Sequence, residues 1–145
     1  MGQSVKSTRP LFTDTATIVL FDPARLAGRQ HDECDWWTGD ADLEREEAAE
    51  NLSFVGTRTD GTYEVVVSVD DIVLDGTVLK RSMLRVESSE LVFGPGERLP
   101  GEGVLRDPRL AGISISPGVY EVTVSVTYAK DPNVPTGYCF ALQRR

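Results

Sequence analysis

Residues 120–128 read YEVTVSVTY and are the clearest strand in the chain. Tyr and Val alternate without a break against Glu, Thr and Ser, so one face of the segment is apolar and the other is polar. A period of two residues is typical of a half-buried β-strand, because successive side chains point to opposite faces. The preceding Pro117-Gly118 is a turn signal. We therefore expect this segment to lie in an antiparallel sheet with one face on the core.

Further strand-like segments lie on either side of this one, rich in β-branched residues and bounded by turn residues. They are residues 15–21, 52–56, 62–70, 77–87, 90–93, 113–115 and 137–143. Asp75-Gly76 predicts a hairpin-type turn, and the Gly- and Pro-rich residues 94–108 predict a long loop. Seven or eight short strands without βαβ alternation predict a mostly β fold, an antiparallel β-sandwich or flattened barrel.

One short helix is predicted over residues 40–50. Asp40 suits its N-cap, and the Glu, Ala, Arg and Leu residues that follow are good helix formers. The face around Leu43 also carries three glutamates, so the helix has almost no apolar stripe to bury. We expect it to lie on the surface, held by the tryptophans before it and by Leu52 and Phe54 after it.

Length and composition indicate one globular domain, because 145 residues with 40% hydrophobic residues suit a single core. Residues 1–13 are polar and contain a proline, so we expect a flexible segment there and one β-sandwich domain over residues 14–145. The start of the chain has no apolar signal segment, and no apolar run approaches the roughly 18 residues that span a membrane. A cytoplasmic location is expected.

The chain is acidic, with 23 Asp and Glu against 15 Lys and Arg and a formal net charge of −8. This field repels nucleic acids and anionic membranes, so neither is expected as a partner, and it favours a basic protein surface. Residues 31–50 contain nine acids and only one basic residue, Arg45. Like charges on one helix face cost roughly 0.2–0.5 kcal/mol per pair. Either a basic partner or simple solvation of an acidic face accounts for them.

No pattern in the sequence predicts catalysis. His31 is the only histidine, and a nucleophile or half a metal site built from His31 and Cys34 would lack its other members. The acid pairs within residues 40–42 and 70–71 could contribute oxygen ligands to Ca²⁺, but neither continues into EF-hand spacing. We therefore predict no enzyme activity and no cofactor, and we name no catalytic or metal-binding residues.

Trp36-Trp37 is the most unusual local feature of the sequence. Paired tryptophans can stack on sugars or anchor an interface. Alternatively, one of them closes the end of the sandwich and fixes the loop that leads into the helix. The predicted partner-binding residues are the acids and tryptophans of this region: Asp35, Trp36, Trp37, Asp40, Asp42, Glu46, Glu47 and Glu50.

Several segments resemble, in their order along the chain, small bacterial proteins of unknown function. They are residues 14–22 (DTATIVLFD), 35–37 (DWW), 51–56 (NLSFVG), 60–63 (DGTY) and 117–122 (PGVYEV). More distantly, the plan is similar to the competence-associated nuclease inhibitors and the β-sandwich immunity proteins encoded beside polymorphic toxins. In those proteins, too, Pro-Gly-x-Tyr introduces a late strand. The resemblance implies a non-enzymatic inhibitor of a toxin domain and transfers no functional residue.

Two hypotheses for function follow. The first is an immunity-type inhibitor that binds and neutralises a cognate bacterial toxin domain. Carboxylates of residues 40–50 would meet a basic patch, and a tryptophan would be the buried anchor. The alternative is a ligand-binding β-sandwich for carbohydrate or Ca²⁺ that uses Trp36, Trp37 and nearby acids.

Overall fold

The structure, a computed structural model, describes residues 5–32, 36–38, 40–70, 76–128 and 131–145. Within these residues there is one α-helix, α1 (Asp40–Ala48), and 3-10 segments lie at Pro23–Arg29, Trp36–Thr38 and Gly96–Arg98. The nine strands are β1 (Val5–Thr13), β2 (Thr17–Phe21), β3 (Leu52–Gly56), β4 (Gly61–Val69), β5 (Thr77–Val86), β6 (Glu90–Pro95), β7 (Ala111–Ser114), β8 (Gly118–Thr127) and β9 (Gly137–Arg144). The prediction of a mostly β fold with one short helix near residues 40–50 is confirmed.

The strands form two sheets, one of five strands in the order β1-β4-β9-β8-β5 and one of four in the order β3-β2-β6-β7. All neighbours are antiparallel except β4 and β9, which run parallel. The predicted antiparallel sandwich is therefore confirmed, with one parallel pair inside it. The hairpin expected at Asp75-Gly76 is wrong, because β9 and β8 lie between β4 and β5. Asp75 itself lies outside the described residues.

Strand β1 corrects the expectation of a flexible segment over residues 1–13. Residues Val5–Thr13 pair with β4 along their whole length. β1 is an edge strand whose side chains are mostly exposed, so its sequence is polar and carries Pro10, a residue that edge strands tolerate. Only a few positions face inward: Leu11 packs against the core and Thr13 is fully buried. Residues 1–4 lie outside the described part.

The main core lies between the two sheets. The inward residues of β8, from Tyr120 to Val126, are at most 2% exposed and pack with inward residues of β2, β4, β6 and β9. The Pro-Gly-x-Tyr sequence at the start of β8 has a structural role. The phenol of Tyr120 donates a hydrogen bond of 2.6 Å to the carbonyl oxygen of Ser116, which closes the turn before the strand.

A second, smaller apolar cluster lies on the opposite face of the four-stranded sheet. Alternate residues of β2 serve the two cores: Ile18 and Leu20 face the main core, whereas Val19 and Phe21 face the second cluster. That cluster is covered by a layer of helix and loops, residues 23–32, 36–38, 40–50 and 96–110, which we call the helix–loop layer. Its apolar members are Leu26, Leu43, Leu99 and Leu110, with Trp36, Trp37 and Phe54 packed against them.

Asp22 joins the helix–loop layer to the sandwich. It is fully buried, and its carboxylate accepts hydrogen bonds from the amide of Ala24 at 2.9 Å and from the amides of Glu87 and Ser88 at 2.6 and 2.8 Å. One side chain therefore caps the 3-10 segment after β2 and binds the turn between β5 and β6.

No helix among the described residues is long and apolar enough to cross a membrane.

Candidate functional site

Arg29 gathers three carboxylates beside the first half of α1. Its guanidinium lies 3.1 Å from Asp32, 3.4 Å from Asp42 and 3.8 Å from Glu46, and it stacks 4.3 Å from the ring centroid of Trp36. Partial burial lowers the pKa of Arg29, but the hydrogen bond to Asp32 and the charges of Glu46 and Asp42 outweigh it and raise that pKa. The arginine therefore offsets part of the negative charge of the acidic segment and holds its three carboxylates together.

Glu47, near the end of α1, and Glu50, just after it, face strand β5. Glu47 lies 2.8 Å from the ammonium of Lys80 and also accepts a hydrogen bond from the amide of Phe54 at 3.1 Å. The same ammonium lies 3.8 Å from the Phe54 ring centroid. Glu50 lies 3.4 Å from the guanidinium of Arg85. These pairs offset the like-charge repulsion along the helix, because each acid faces a cation on another element.

The helix–loop layer contains seven of the eight predicted partner-binding residues, and the structure describes the side chains of six of them: Trp36, Trp37, Asp42, Glu46, Glu47 and Glu50. Asp40 begins α1, but its side chain is not described, and Asp35 lies outside the described residues. Sequence reasoning missed the pairing of the four acids, because Arg29 precedes the acidic segment and Lys80 and Arg85 lie on a strand distant along the chain. Glu44 differs from those four. It is exposed and forms no ion pair with another described residue.

The two tryptophans have different surroundings. The indole Nε1 of Trp36 donates a hydrogen bond of 2.6 Å to the carbonyl oxygen of Pro100, and its ring holds Arg29. Trp36 thus fixes the 96–110 loop to the segment before α1, which agrees with the interpretation that one tryptophan has a structural role. Trp37 packs on the second cluster, is half-buried, and forms no hydrogen bond with another described residue through its indole nitrogen.

Two open cavities lie on the helix–loop layer. The first, of about 310 Å³, lies between α1 and β5 and is lined by Glu44, Glu47, Ala48, Glu50, Ser82 and Met83. The second, of about 210 Å³, we call the Trp37 pocket; its lining residues are Trp37, Glu97, Arg98, Leu99, Gly101, Glu102, Val104 and Asp107. Both cavities carry carboxylates beside apolar side chains. The Trp37 pocket was not predicted from the sequence, because residues 94–108 gave only a loop signal.

A carboxyl pair that the sequence did not predict fixes one wall of the Trp37 pocket. Glu97 accepts hydrogen bonds from the hydroxyls of Thr15 and Thr13 at 2.9 and 3.1 Å and from the amide of Asp14 at 3.0 Å. Its proximity raises the pKa of Asp14, chiefly through a side-chain hydrogen bond. Burial raises the pKa of Glu97, but the bonds it accepts outweigh burial and lower it. Glu97 thereby ties the pocket to the β1–β2 connection.

The other candidate residues do not form a recognisable reaction centre within the described chain. His31 is exposed, and its suggested companion Cys34 lies outside the described residues. Cys139 is buried. Among the described residues, no three His, Cys, Asp or Glu side chains are grouped so that they could hold a metal ion. Asp70 accepts a hydrogen bond from the amide of Arg144 at 3.2 Å, and its neighbour Asp71 is not described.

The fold is similar to two solved structures along their whole length. One is ComJ, inhibitor of the DNA degrading activity of NucA, from Bacillus subtilis, with a TM-score of 0.62 and 12% identity over 100% of this chain and 99% of that one. The other is crocagin biosynthetic gene J, with a TM-score of 0.62, 13% identity and the same coverage. At these identities the likeness is one of fold. The search of curated proteins finds no match.

The sequence itself matches a family model. A model for a family of unknown function (DUF6386) matches residues 5–132, most of the chain. This confirms the resemblance to a β-rich family of unknown function, and the ComJ fold agrees with the more distant resemblance to nuclease inhibitors. The protein belongs to the DUF6386 family.

Proposed function

We propose that this protein is a non-enzymatic inhibitor that binds and neutralises a cognate bacterial toxin domain, as an immunity protein does. The observation that supports this most is the end-to-end likeness of its fold to ComJ, an inhibitor of the DNA degrading activity of NucA. An inhibitor of this kind acts by covering a surface and needs no catalytic residues of its own. The net charge of −8 favours a basic protein partner over nucleic acid or an anionic membrane. Its place of action is the cytoplasm.

The helix–loop layer is the surface that we propose for the partner. Its paired acids, among them Asp42 and Glu46, are held in place by cations of the same chain. They contribute mainly to the negative electrostatic potential of the surface. Glu44 and Glu102 are exposed and without an ion pair among the described residues, so their carboxylates can meet a basic partner directly. Trp37 is the proposed anchor, since half-buried aromatic residues beside pockets dominate many interfaces. Asp35 and Asp40 belong to the same proposed surface.

A charge reversal at Glu44 tests the surface. The tagged protein is used to capture partners from its own host's lysate at low and moderate salt, and the affinity for the captured protein is then measured for the wild type and for Glu44→Lys. We expect one stoichiometric, salt-sensitive partner and at least about tenfold weaker binding by the variant, because a lysine would face the partner's basic patch.

Glu64→Lys is the matched control. Glu64 is also exposed and without an ion pair among the described residues. It lies on β4 in the five-stranded sheet, whereas the helix–loop layer packs on the four-stranded sheet. Its reversal changes the net charge equally and should alter affinity by less than about twofold. Equal losses in both variants would show that only the overall charge matters and would contradict the proposed surface. Failure to retain any partner would contradict the inhibitor itself.

A further inference from the structure

The Trp37 pocket is held open by main-chain bonds between two loops. The amide of Gly103 donates to the carbonyl oxygen of Gln30 at 2.7 Å, and the amide of Glu102 donates to the carbonyl oxygen of Asp32 at 2.8 Å. The indole of Trp36 adds its bond to Pro100 at 2.6 Å. The pocket is thus largely pre-formed, which lowers the entropy cost of filling it.

The pocket exposes apolar surface that the described part of the chain does not bury. Leu99 is 7% exposed and belongs to the second cluster, as the inner part of the wall. Val104, in contrast, is 49% exposed beside the half-buried ring of Trp37. A volume of about 210 Å³ suits one side chain of a partner rather than a helix or a strand. The part of the partner's side chain that would pack against the indole of Trp37 is an aliphatic stem or a planar group.

The charges that remain in the pocket are negative. Of its ionisable residues, Asp107 pairs with Arg98 at 3.4 Å and with Arg109, outside the lining, at 2.9 Å, so this cluster has one more cation than carboxylates, and Glu97 and Glu102 make the whole group net negative. Glu97 accepts only neutral donors, and Glu102 is exposed without an ion pair among the described residues. Two carboxylates beside an aromatic wall repel anions and attract cations. The pocket should therefore bind a cationic side chain more tightly than a neutral apolar one.

We propose that the Trp37 pocket binds one arginine side chain of the protein partner, an inference that rests on the proposed function. The guanidinium stacks on the indole of Trp37 while its edge meets Glu102 or Glu97. Arginine fits better than lysine, because its planar guanidinium stacks on aromatic rings and can donate two parallel hydrogen bonds to one carboxylate. The helix–loop layer already contains such a contact, the stacking of Arg29 on Trp36 at 4.3 Å. Trp37 repeats this arrangement with the cation supplied by the partner.

The test uses a small probe and the two tryptophan indoles of the chain as reporters. N-acetyl-arginine amide and its neutral analogue N-acetyl-citrulline amide are titrated into the labelled protein, and the two indole N–H signals are followed by NMR, assigned with Trp37→Phe. We expect a saturable shift of the Trp37 signal with the arginine probe, in roughly the millimolar range for a ligand of this size. The Trp36 signal should move little, because its N–H is already bound to Pro100.

A pair of matched variants controls for non-specific binding. Val104→Lys places a competing ammonium at the pocket, whereas Val134→Lys makes the same change at a valine that is 54% exposed and does not line it. We expect at least about tenfold weaker binding of the arginine probe by the first and less than about twofold change by the second. An equal shift with citrulline, no saturation in the wild type, or unchanged binding by Val104→Lys would overturn the proposal.

The outcomes separate this inference from the proposed function. If a partner is captured but the arginine probe does not bind, the pocket assignment fails and the inhibitor remains. If the probe binds but no protein partner is retained, the pocket's cation preference stands and the inhibitor fails.

Discussion

Asp107 stabilises the loop that forms the Trp37 pocket. Because its pKa is shifted in the folded state, its contribution to the unfolding free energy depends on pH. The hydrogen bond from the side chain of Arg109 is the main cause that lowers its pKa from 3.8 to about 2, against the opposing effect of burial. A carboxylate with a lowered pKa in the folded state stabilises the fold above its unfolded pKa and loses that contribution as the pH falls through its folded pKa.

The resulting prediction concerns Asp107→Asn. The difference in unfolding free energy between wild type and variant should be constant above about pH 4 and shrink as the pH approaches about 2. Urea denaturation at a series of pH values measures this difference. A difference that stays constant down to pH 2 would show that the ion pairs of Asp107 do not stabilise the folded state.

At the scale of an element, helix α1 survives its many acids because neighbouring elements supply cations. Glu47 and Lys80 lie 2.8 Å apart, with side chains 17% and 27% exposed. We expect Glu47→Lys to destabilise the protein, because it places two cations together and removes the acceptor of the Phe54 amide. The double variant Glu47→Lys with Lys80→Glu should recover about 1 kcal/mol of unfolding free energy, as measured in a double-mutant cycle. Strictly additive effects would mean that the pair does not couple.

The elements themselves could be predicted from the sequence where the pattern was strong. Residues 52–56 are a strand with the expected bounds, and the alternation at 120–128 is strand β8, Gly118–Thr127. Strand β1 was missed because an edge strand buries few side chains and so carries little apolar alternation. The Asp75-Gly76 signal indicated a turn but could not tell which strand the chain would join next.

The candidate site was only partly predictable for the same reason. The sequence shows that acids and tryptophans cluster between residues 31 and 50. It does not show that Arg29, Lys80 and Arg85 form ion pairs with most of the described acids, because two of these cations come from β5. Nor does it show that Trp36 is bound into the loop while Trp37 lines a pocket. Ion pairs and cavities depend on tertiary contacts that a local pattern does not contain.

At the scale of the whole molecule, the sandwich supports one distinct surface. The main core joins the two sheets, and the second cluster joins the four-stranded sheet to the helix–loop layer. The layer is thereby packed on a hydrogen-bonded sheet through a buried apolar cluster, which suits a pre-formed binding surface. The surface combines internal ion pairs, exposed acids such as Glu44 and Glu102 that form no ion pair with another described residue, and a pocket lined by Trp37. This architecture is consistent with an inhibitor that binds through shape and charge.

The most direct test of the central claim is a titration of the captured partner's activity with this protein. We expect the partner to be toxic when it is expressed in bacteria without this protein. In the titration, the activity of the purified partner should fall to a basal level at one equivalent of the wild-type chain. Glu44→Lys should require a larger excess than Glu64→Lys. A partner that binds tightly but keeps its full activity at stoichiometric excess would contradict the claim that this protein is an inhibitor.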